Sequence, residues 1–335
     1  MNHPSHRGRV AIVGAGLAGL EAAAELQRRG FEVRLFDKGR GPAGRISTRR
    51  TPELAVDHGA QYFTARSELF RGEVEEWVRA GCAAVWEPRW ATQRTARQPD
   101  PAETRYVGAP RMSSIARHLA RDAQVACGVR IDALKRDGAQ WRLIDTHGID
   151  HGSFPLVVLT VPAPQAVPLL EHSPALRERA QAAHYDPCWA SWVRLEEPLD
   201  LPFDAGCPAD ERLAWCARND SKPGRPEGEL WLLHASPAFS HAHEAGPIQQ
   251  PELVRRALTE AFLAWVERPD ARVSAYGAHY WRYARCAAPE SSEPLWEPEL
   301  GLGVCGDWCA GPRVEDAWTS GRRLAERIAL QASAS

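Results

Sequence analysis

The sequence predicts an α/β fold in which a domain built on a parallel sheet is joined to a second, α+β domain with a mostly antiparallel sheet. Three observations favour this class. A short apolar strand near the N-terminus opens into a glycine-rich turn, and the unbroken apolar run at 155–162 is typical of a buried parallel strand. Between 185 and 285, Trp and Arg alternate with apolar residues, as in antiparallel strands. The first domain is therefore predicted to be of the Rossmann type.

The glycine turn is the best-defined motif of the chain. A strand ends in Gly14-x-Gly16-x-x-Gly19, a helical pattern follows, and a second strand stops at Asp37. Gly14 permits the tight turn, Gly16 lets the backbone approach a pyrophosphate, and Gly19 allows close packing of helix on strand. Asp37 follows at about the twenty-residue spacing that ribose recognition requires. The predicted phosphate contacts are Gly14, Ala15, Gly16, Leu17, Ala18 and Gly19.

The segment that follows Asp37 is glycine-rich and basic and ends at Arg45. The fork of Arg45 matches the oxygens of a diphosphate, and Lys38 and Gly44 are further predicted contacts. An ordinary nicotinamide dehydrogenase has no evident use for this segment. It resembles the signature of flavin-dependent oxidases related to the amine oxidase and renalase families, and so indicates FAD.

The C-terminal part of the chain is predicted to return to the first domain. Residues 301–307 are interpreted as a strand and turn that end at Asp307, and a helix follows to about residue 330. Asp307 is placed to bond a ribityl hydroxyl. The N–H groups near Val314 and Glu315, with Ala317 in the same turn, would face the flavin N1–C2=O locus, where the helix dipole favours negative charge.

The remaining elements follow from local signals. Ser67 is predicted to cap a helix that Gly81 ends, and Ser113 or Ser114 to cap a short helix. Glycines at 138 and 148 indicate hairpins, and Pro251 begins a later helix. A final strand, 273–283, is predicted to place Ala275, Gly277, His279, Trp281 and Tyr283 on one face. The predicted domains are 8–75, 107–165 and 296–331 for FAD binding, and 76–106 and 166–295 for substrate.

Composition limits the possible functions. The chain has 335 residues, enough for about two domains, and its net charge of −2 gives no case for nucleic acid or an anionic membrane surface. It contains no apolar run of about twenty residues, and Met1 to Arg9 lack the apolar centre of a signal peptide. The eight cysteines form no C-x-x-C pair, so no metal site is expected. Cys305 and Cys309 could form a dithiol relay, but buried reduced thiols are favoured, in a cytoplasmic protein.

Several stretches together resemble the bacterial renalase family, and they cover nearly the whole chain. They include 35–41, Asp57 to Arg66, 161–165, 217–219, 221–223, 233–235, 281–285 and 305–309. Pro42-Ala43 and Gly311-Pro312 depart from the expected pattern. The resemblance implies a p-hydroxybenzoate-hydroxylase-like fold with non-covalent FAD. It also implies oxidation of the 2- and 6-dihydro isomers of NAD(P)H to NAD(P)+, with O2 reduced to H2O2.

In flavoproteins of this architecture, the backbone equivalent to residues 56–64 runs past the isoalloxazine ring. The predicted cofactor contacts therefore include Gly59, Ala60, Gln61 and Tyr62. Val129 and Pro162 are predicted cofactor contacts as well. The candidates for the substrate wall are Tyr62, His234, His279 and Trp281, each of which could instead be a core residue. Arg218 and Asn219 could contact a ribose or phosphate, or lie in a solvated loop.

Two other functions stay open at this stage. A flavin amine oxidase often places a lysine, bridged by water, near flavin N5, and Lys222 is the only lysine outside the cofactor loop and the hairpin. A non-catalytic flavin- or nucleotide-binding protein would need the glycine turn but not the second domain. The sequence does not determine the oligomeric state or the choice between NAD and NADP.

Overall fold

The structure is a computed structural model that describes residues 8–52, 54–244, 251–289 and 292–333. Residues 1–7 of the polar N-terminal stretch lie outside the described residues. The strands are β1 Arg9–Val13, β2 Glu32–Asp37, β3 Arg49–Arg50, β4 Ala55–Val56, β5 Ala83–Val85, β6 Thr95–Arg97, β7 Tyr106–Gly108, β8 Gln124–Cys127, β9 Ile131–Asp137, β10 Gln140–Asp145, β11 Asp150–Phe154, β12 Leu156–Leu159, β13 Tyr185–Leu195, β14 Ala205–Pro208, β15 Leu213–Arg218, β16 Leu230–Ala235, β17 Val273–Cys286, β18 Leu295–Glu297 and β19 Leu302–Val304.

The α-helices are α1 Leu17–Arg28, α2 Glu68–Arg79, α3 Ser114–Leu119, α4 Ala163–Ala166, α5 Pro174–Gln181, α6 Pro237–Ala242, α7 Pro251–Trp265, α8 Asp307–Ala310 and α9 Val314–Ala332. Short 3-10 helices lie at Gly44–Ile46, Val167–Leu170 and Asn219–Ser221. Among the described helices, none is long and apolar enough to cross a membrane.

The chain forms two compact units. The first comprises Met1–Ile46, Ala116–His184 and Cys286–Ser335, and the second Ser47–Ile115 and Tyr185–Arg285. These limits differ from the predicted domain limits, because 47–75 and 107–115 fall in the second unit and 166–184 and 286–295 in the first. The assignment of cofactor and substrate roles to particular segments stays a prediction.

The first unit is built on a sheet with the strand order β18-β19-β12-β1-β2-β8. The pairs from β19 to β8 are parallel, and only the edge strand β18 is antiparallel to its neighbour. Val10, Ala11 and Ile12 in the centre of the sheet are fully buried, as the apolar runs predict. Helices α1 and α9 pack so closely at Gly321 that a Cβ on this residue would lie 2.2 Å from the carbonyl oxygen of Ala18. Only glycine fits at this position. A separate antiparallel sheet, β11-β10-β9, turns at Gly138 and Gly148, as predicted.

The second unit contains a sheet in the order β17-β13-β16-β15-β14-β6. The pairs β13–β16, β15–β16, β14–β15 and β14–β6 are antiparallel, which confirms the predicted character of this region. One face packs on α7 through Leu258 and Phe262, both fully buried. Helix α7 begins at Pro251 as predicted, but Leu253 is 53% exposed and does not belong to the buried face. Ser67 accepts a hydrogen bond from the Phe70 N–H and so caps α2, as its sequence indicates.

Candidate cofactor and substrate sites

The glycine turn lies between β1 and α1, at the carboxyl edge of the parallel sheet. Gly14 has a φ of +111°, and a Cβ on it would lie 2.5 Å from Thr160 Oγ1. A Cβ on Gly19 would lie 2.1 Å from the Gly14 carbonyl oxygen. A Cβ on Gly16, in contrast, would have no heavy atom within 4 Å. The turn is therefore closed on its inner side and open at Gly16, where a phosphate would approach the helix N-terminus.

Asp37 organises this turn through both of its carboxylate oxygens. Oδ2 accepts the Ala15 N–H at 2.6 Å, and Oδ1 accepts the Gly39 N–H at 2.6 Å. A carboxylate has about four acceptor positions, so these bonds leave capacity for a ribose hydroxyl. The Val129 N–H donates to the Asp37 carbonyl at 2.9 Å, which brings this predicted contact to the same strand end. The sequence indicated the ribose role but not the bond that fixes the turn.

The basic segment after Asp37 returns to the glycine turn. The Ala43 N–H donates to the Ala15 carbonyl at 3.0 Å, and the Gly44 Cβ position lies 3.3 Å from Gly16 Cα. Lys38 Nζ donates to Gln165 Oε1 at 3.0 Å, close to the predicted contact Pro162 that precedes α4. Two stretches predicted to surround a pyrophosphate therefore lie side by side.

Arg45 and Asp307 form a bidentate ion pair, with N–O distances of 2.5 and 2.7 Å. Asp307 is 4% exposed. The sequence assigned Arg45 to a diphosphate and Asp307 to a ribityl hydroxyl, and it missed their pairing across the chain. Because the fork of one side chain fits the other in two places, each fixes the orientation of its partner. The pair connects the basic segment to the start of α8.

Helix α9 presents its N-terminus a few residues later. The Arg313 N–H donates to the Asp316 carboxylate at 3.0 Å, which caps the helix. Val314 and Glu315 are its first residues, and Ala317 lies in the same turn. The backbone N–H groups of this turn carry the positive end of the dipole of a long helix. The geometry suits the predicted contact with an electron-rich carbonyl.

In the second unit, Asp57 is a buried carboxylate surrounded by donors. It accepts hydrogen bonds from Arg225 at 2.5 and 3.1 Å, from Thr48 Oγ1 at 2.6 Å and from the Met112 N–H at 3.1 Å. Burial alone would raise the pKa of Asp57, but the charges of Lys222 and Arg225 with these bonds hold that pKa below its usual value. Asp57 is therefore ionised and tightly paired.

Lys222 is the buried amine of the same cluster. Its Nζ donates to Gln61 Oε1 at 2.9 Å and lies 4.0 Å from Asp57 Oδ2 and 5.7 Å from the centre of the Trp86 ring. Burial, helped by Arg225 and opposed by Asp57, lowers the pKa of Lys222 to about 8. The scarcity of lysine was the one signal for Lys222 in the sequence, and no local signal indicated that Gln61 and Asp57 would be its partners.

The predicted substrate residues His279 and Trp281 lie on one face of β17, with ring centres 4.4 Å apart. Both rings contact His58, at 4.9 and 5.0 Å between centres, and Trp281 Nε1 donates to the His58 carbonyl at 2.9 Å. The sequence quoted His58 in a motif but did not predict it as a site residue. Its nearest signal was its place between Asp57 and Gly59. These three rings are called the His58 cluster below.

The histidines of the His58 cluster are uncharged at neutral pH. Burial, helped by His279 and Arg49, lowers the pKa of His58 to about 3. Burial and Arg49 also lower the pKa of His279. His58 is 6% exposed, whereas His279 and Trp281 are partly exposed. The cluster is therefore a neutral aromatic surface with a buried base.

Of the other two predicted substrate residues, His234 hydrogen-bonds the backbone of His58, whereas Tyr62 packs among other aromatic rings. His234 Nε2 lies 3.5 Å from Gln61 Nε2, and burial, with the charge of Lys222, lowers the pKa of His234 to about 4. The Tyr62 ring lies 6.0 Å from the Trp86 ring and 5.5 Å from the Trp215 ring. The predicted contacts Gly59, Ala60, Gln61 and Tyr62 all belong to the second unit.

Four further candidates, Arg218, Asn219, Cys305 and Cys309, lie elsewhere in the two units. Arg218 is the last residue of β15 and forms an ion pair with Asp204, so it does not lie in a solvated loop, and its contact with a ribose or phosphate stays a prediction. Asn219 is 2% exposed and donates to the Ala55 carbonyl at 3.2 Å, so it does not lie in a solvated loop. Cys305 and Cys309 are free and buried, and burial raises the pKa of both thiols.

The sequence of this chain is similar to known families and proteins. A family model described as flavin containing amine oxidoreductase matches residues 71–329, and one for an NAD(P)-binding Rossmann-like domain matches residues 12–76. The zeta-carotene-forming phytoene desaturase of Myxococcus xanthus is 43% identical over 51 residues, 15% of this chain and 10% of that protein. Hydroxyneurosporene desaturase of Rubrivivax gelatinosus is 41% identical over 66 residues, 20% of this chain and 13% of that protein. These matches therefore span only a small part of the curated relatives.

Solved structures share the whole fold at low sequence identity. A candidate protoporphyrinogen oxidase from Exiguobacterium sp. 255-15 has a TM-score of 0.76 and 14% identity, covering 98% of this chain and 100% of that one. Wild-type putrescine oxidase bound to putrescine has a TM-score of 0.69 and 13% identity, covering 96% of this chain and 98% of that one. The fold common to these structures is the fold of this chain.

The cofactor that these comparisons give is FAD, and the residues of the first unit fit it. Gly16 leaves an open approach to the N-terminus of α1 for a pyrophosphate. Asp37 has acceptor capacity for a ribose. The N-terminus of α9 offers N–H groups to an electron-rich carbonyl.

Proposed function

Because the chain belongs to the family of flavin-containing amine oxidoreductases, we propose that it oxidises the 2- and 6-dihydro isomers of NAD(P)H to NAD(P)+. Bound FAD supplies the hydride acceptor and returns electrons to O2, with H2O2 as the product. The task of the chain is then to hold the substrate ring in a reactive pose and to exclude competing reactions. Because a dihydropyridine becomes aromatic when it loses hydride, the reaction needs no strong base.

The His58 cluster is the observation that carries this proposal. A dihydropyridine is planar and uncharged, and it carries a carboxamide. The faces of His279 and Trp281 are partly exposed and aromatic, so they can contact such a ring. Both histidines are neutral at pH 7, so the cluster places no charged group beside the dihydropyridine ring. We therefore assign substrate contact to His279 and Trp281.

The charges near this cluster favour a nucleotide over an amine. Asp57, the buried carboxylate, is already bonded to Arg225 and lies 4.0 Å from Lys222. Arg49 is exposed, its guanidinium lies 5.6 Å from the Trp192 ring, and its charge acts on both His58 and His279. Cations in this arrangement repel an ammonium group and attract a diphosphate. The charge pattern thus supports a dinucleotide substrate.

A flavin amine oxidase is the second candidate, and Lys222 is the observation that favours it. This amine is 2% exposed, and its pKa of about 8 leaves a neutral fraction near pH 7. As noted above, flavin amine oxidases often place a lysine, bridged by water, near flavin N5. One relative of the same fold is putrescine oxidase, solved with putrescine bound.

Anaerobic stopped-flow mixing of the FAD-loaded protein with each class of reductant tests the proposal. We expect rapid bleaching of the flavin by 2- or 6-dihydro-NAD(P), slow bleaching by ordinary NAD(P)H, and none by putrescine or catecholamines. Fast reduction of the flavin by an amine, with the dihydropyridines inert, would show instead that the protein is a flavin amine oxidase. If neither class reduces the flavin, a non-catalytic flavin-binding protein is the remaining interpretation.

Substitutions at two positions separate the candidates. Trp281→Ala should slow reduction by the dihydropyridines while FAD stays bound, and Trp281→Phe, which keeps a ring, should retain most of the rate. Lys222→Met should change the rate of dihydropyridine oxidation by no more than a few-fold, but it should abolish amine oxidation if that activity exists.

Acid precipitation should release FAD into the supernatant, because the proposed attachment is non-covalent. In the described part of the chain no cysteine forms a disulfide, which supports a place in the reducing cytoplasm.

A further inference from the structure

Arg49 is an exposed arginine beside the His58 cluster. It lies on the short strand β3, where its backbone pairs with Val56, close to His58 in the chain. Its guanidinium lies 5.6 Å from the centre of the Trp192 ring, and that ring centre lies 6.4 Å from the centre of the His58 ring. Among the described residues, no carboxylate forms an ion pair with Arg49. An exposed guanidinium without a carboxylate partner is available to bind an anion.

Trp192 shows on which side of His279 and Trp281 this charge lies. A Cβ on Gly277 would lie 2.2 Å from Trp192 Cζ2, so the Trp192 ring packs directly against Gly277. Gly277, His279 and Trp281 are alternate residues of β17 and share one face, with about 6.5 Å between successive positions. The order along this face is therefore Trp281, His279 and then Trp192 with Arg49. The charge of Arg49 also contributes to the lowered pKa of His279, which agrees with this order.

Resting on the proposed function, we propose that Arg49 binds the phosphate that follows the nicotinamide ribose. The site therefore takes dihydropyridine nucleotides in preference to ribosides that lack this phosphate. Only one ribose separates the ring from the phosphate, so a nucleotide whose ring contacts His279 can reach Arg49. A guanidinium offers two parallel N–H groups to phosphate oxygens. The neighbouring Trp192 ring limits the motion of the guanidinium, so less conformational freedom is lost on binding.

Arg50 provides a matched control for the charge. It follows Arg49 on β3 and is also exposed, but the side chains of consecutive strand residues point to opposite faces. Arg49→Gln and Arg50→Gln therefore remove the same charge from two sides of one strand. If the phosphate were attracted by net charge alone, the two variants would weaken its binding equally.

Isothermal titration calorimetry of the FAD-loaded protein tests the proposal with nicotinamide mononucleotide and nicotinamide riboside, which differ by this phosphate alone. The parent and Arg50→Gln should bind the mononucleotide on the order of tenfold more tightly than the riboside, as expected for one hydrogen-bonded charged contact. In Arg49→Gln this preference should fall to near unity with the affinity for the riboside unchanged, whereas Arg49→Lys should keep part of it. Equal affinities in the parent, no measurable binding of either ligand, or equal effects of the two Gln variants would overturn the proposal.

Two further readouts exclude other roles for Arg49. The FAD content of Arg49→Gln should equal that of the parent, because the proposed contact is with the substrate, and loss of FAD would show that Arg49 serves the cofactor instead. Raising the ionic strength should reduce the preference for the mononucleotide in the parent but not in Arg49→Gln, because salt screens an exposed charge. A preference in the parent that does not respond to salt would contradict the proposal.

These measurements use oxidised ligands and need no turnover, so they separate this proposal from the proposed function. If the preference depends on Arg49 but no dihydropyridine reduces the flavin, the phosphate contact is correct and the proposed reaction is wrong. If 2- or 6-dihydro nucleotides and the matching ribosides reduce the flavin equally well at low concentration, the reaction is correct and the phosphate contact is wrong.

Discussion

At the scale of single residues, Asp37 combines two tasks. Its carboxylate accepts the Ala15 and Gly39 N–H groups, so it shapes the turn that a phosphate contacts. Asp37→Ala should therefore weaken FAD binding by about 1.5–3 kcal/mol, the usual worth of hydrogen bonds to a charged group. Fluorescence of FAD released at equilibrium measures this loss. Asp37→Asn keeps one acceptor oxygen, so its affinity for FAD should lie between those of the parent and of Asp37→Ala. An Ala variant with the affinity of the parent would contradict the expectation.

Cys305 and Cys309 lead to a different expectation. Both thiols are buried and their pKa values are raised, so the thiolate that a disulfide relay requires is disfavoured. Replacing both with Ala should leave reoxidation of the reduced flavin by O2 within a few-fold of the parent, with some loss of stability from lost packing. Stopped-flow mixing of reduced protein with O2 gives the rate. A reoxidation rate that collapses with FAD still bound would restore the relay.

At the scale of elements, two helical glycines have opposite expected effects. Gly321 in α9 lies against α1, and an added Cβ would be 2.2 Å from the Ala18 carbonyl oxygen. Gly321→Ala should destabilise the protein by about 1–3 kcal/mol, because the helices must separate. Gly72 is exposed in α2 and has no atom within 4 Å of its Cβ position. Gly72→Ala should stabilise by up to about 1 kcal/mol through helix propensity alone.

Chemical denaturation of the two variants measures both changes against the parent. The comparison is matched because each variant adds one methyl group to a helix. A neutral Gly321→Ala would show that α1 and α9 have room to move. A destabilising Gly72→Ala would show that helix propensity does not govern the exposed face of α2.

The sequence predicted those elements whose signals are local. The turn at Gly14, the cap at Ser67 and the start of α7 at Pro251 each depend on a few neighbouring residues. Contacts between distant residues were not predictable in this way. Arg45 and Asp307 are 262 residues apart, and Lys222 and Gln61 are 161 apart.

The candidate site was predicted unevenly for the same reason. Spacing along one strand was enough to place His279 and Trp281 together, because alternate residues share a face. Nothing in the local sequence showed that His58 would join them, that His234 would contact the His58 backbone, or that Tyr62 would pack against Trp86 and Trp215. Residue types that form cores as readily as sites carry no local mark of their partners.

At the scale of the whole molecule, buried histidines predict how stability depends on pH. The pKa values of His58 and His234 are lowered to about 3 and about 4 in the folded protein, from 6.5. Below pH 6.5 the unfolded chain therefore binds more protons than the folded protein, and stability falls with acidification down to about pH 3. Above pH 6.5 this contribution is fully present. Calorimetric Tm values at stepped pH should show the decline.

A double variant isolates the histidine contribution from that of the carboxylates. In His58→Asn/His234→Asn the groups that take up protons only on unfolding are gone, so the slope of Tm against pH between 6.5 and 4 should be shallower. An unchanged slope would mean that carboxylates alone govern acid stability. Lys222 acts in another window: its pKa is lowered from 10.5 to about 8, so stability should rise with pH between those values.

The sheet of the first unit joins early and late parts of the chain, and this affects how the protein is made. Strand β1 lies beside β12, β12 lies beside β19, and α9 packs on α1. Asp307 follows Arg45 by 262 positions, which take roughly 15 to 50 seconds to synthesise at about 5–20 residues per second. Throughout that interval the chain lacks Asp307, the partner of Arg45, and α9, the helix that packs on α1 after the glycine turn. Capture of FAD therefore follows translation, and a nascent chain must wait, protected from aggregation, until its last helix is released.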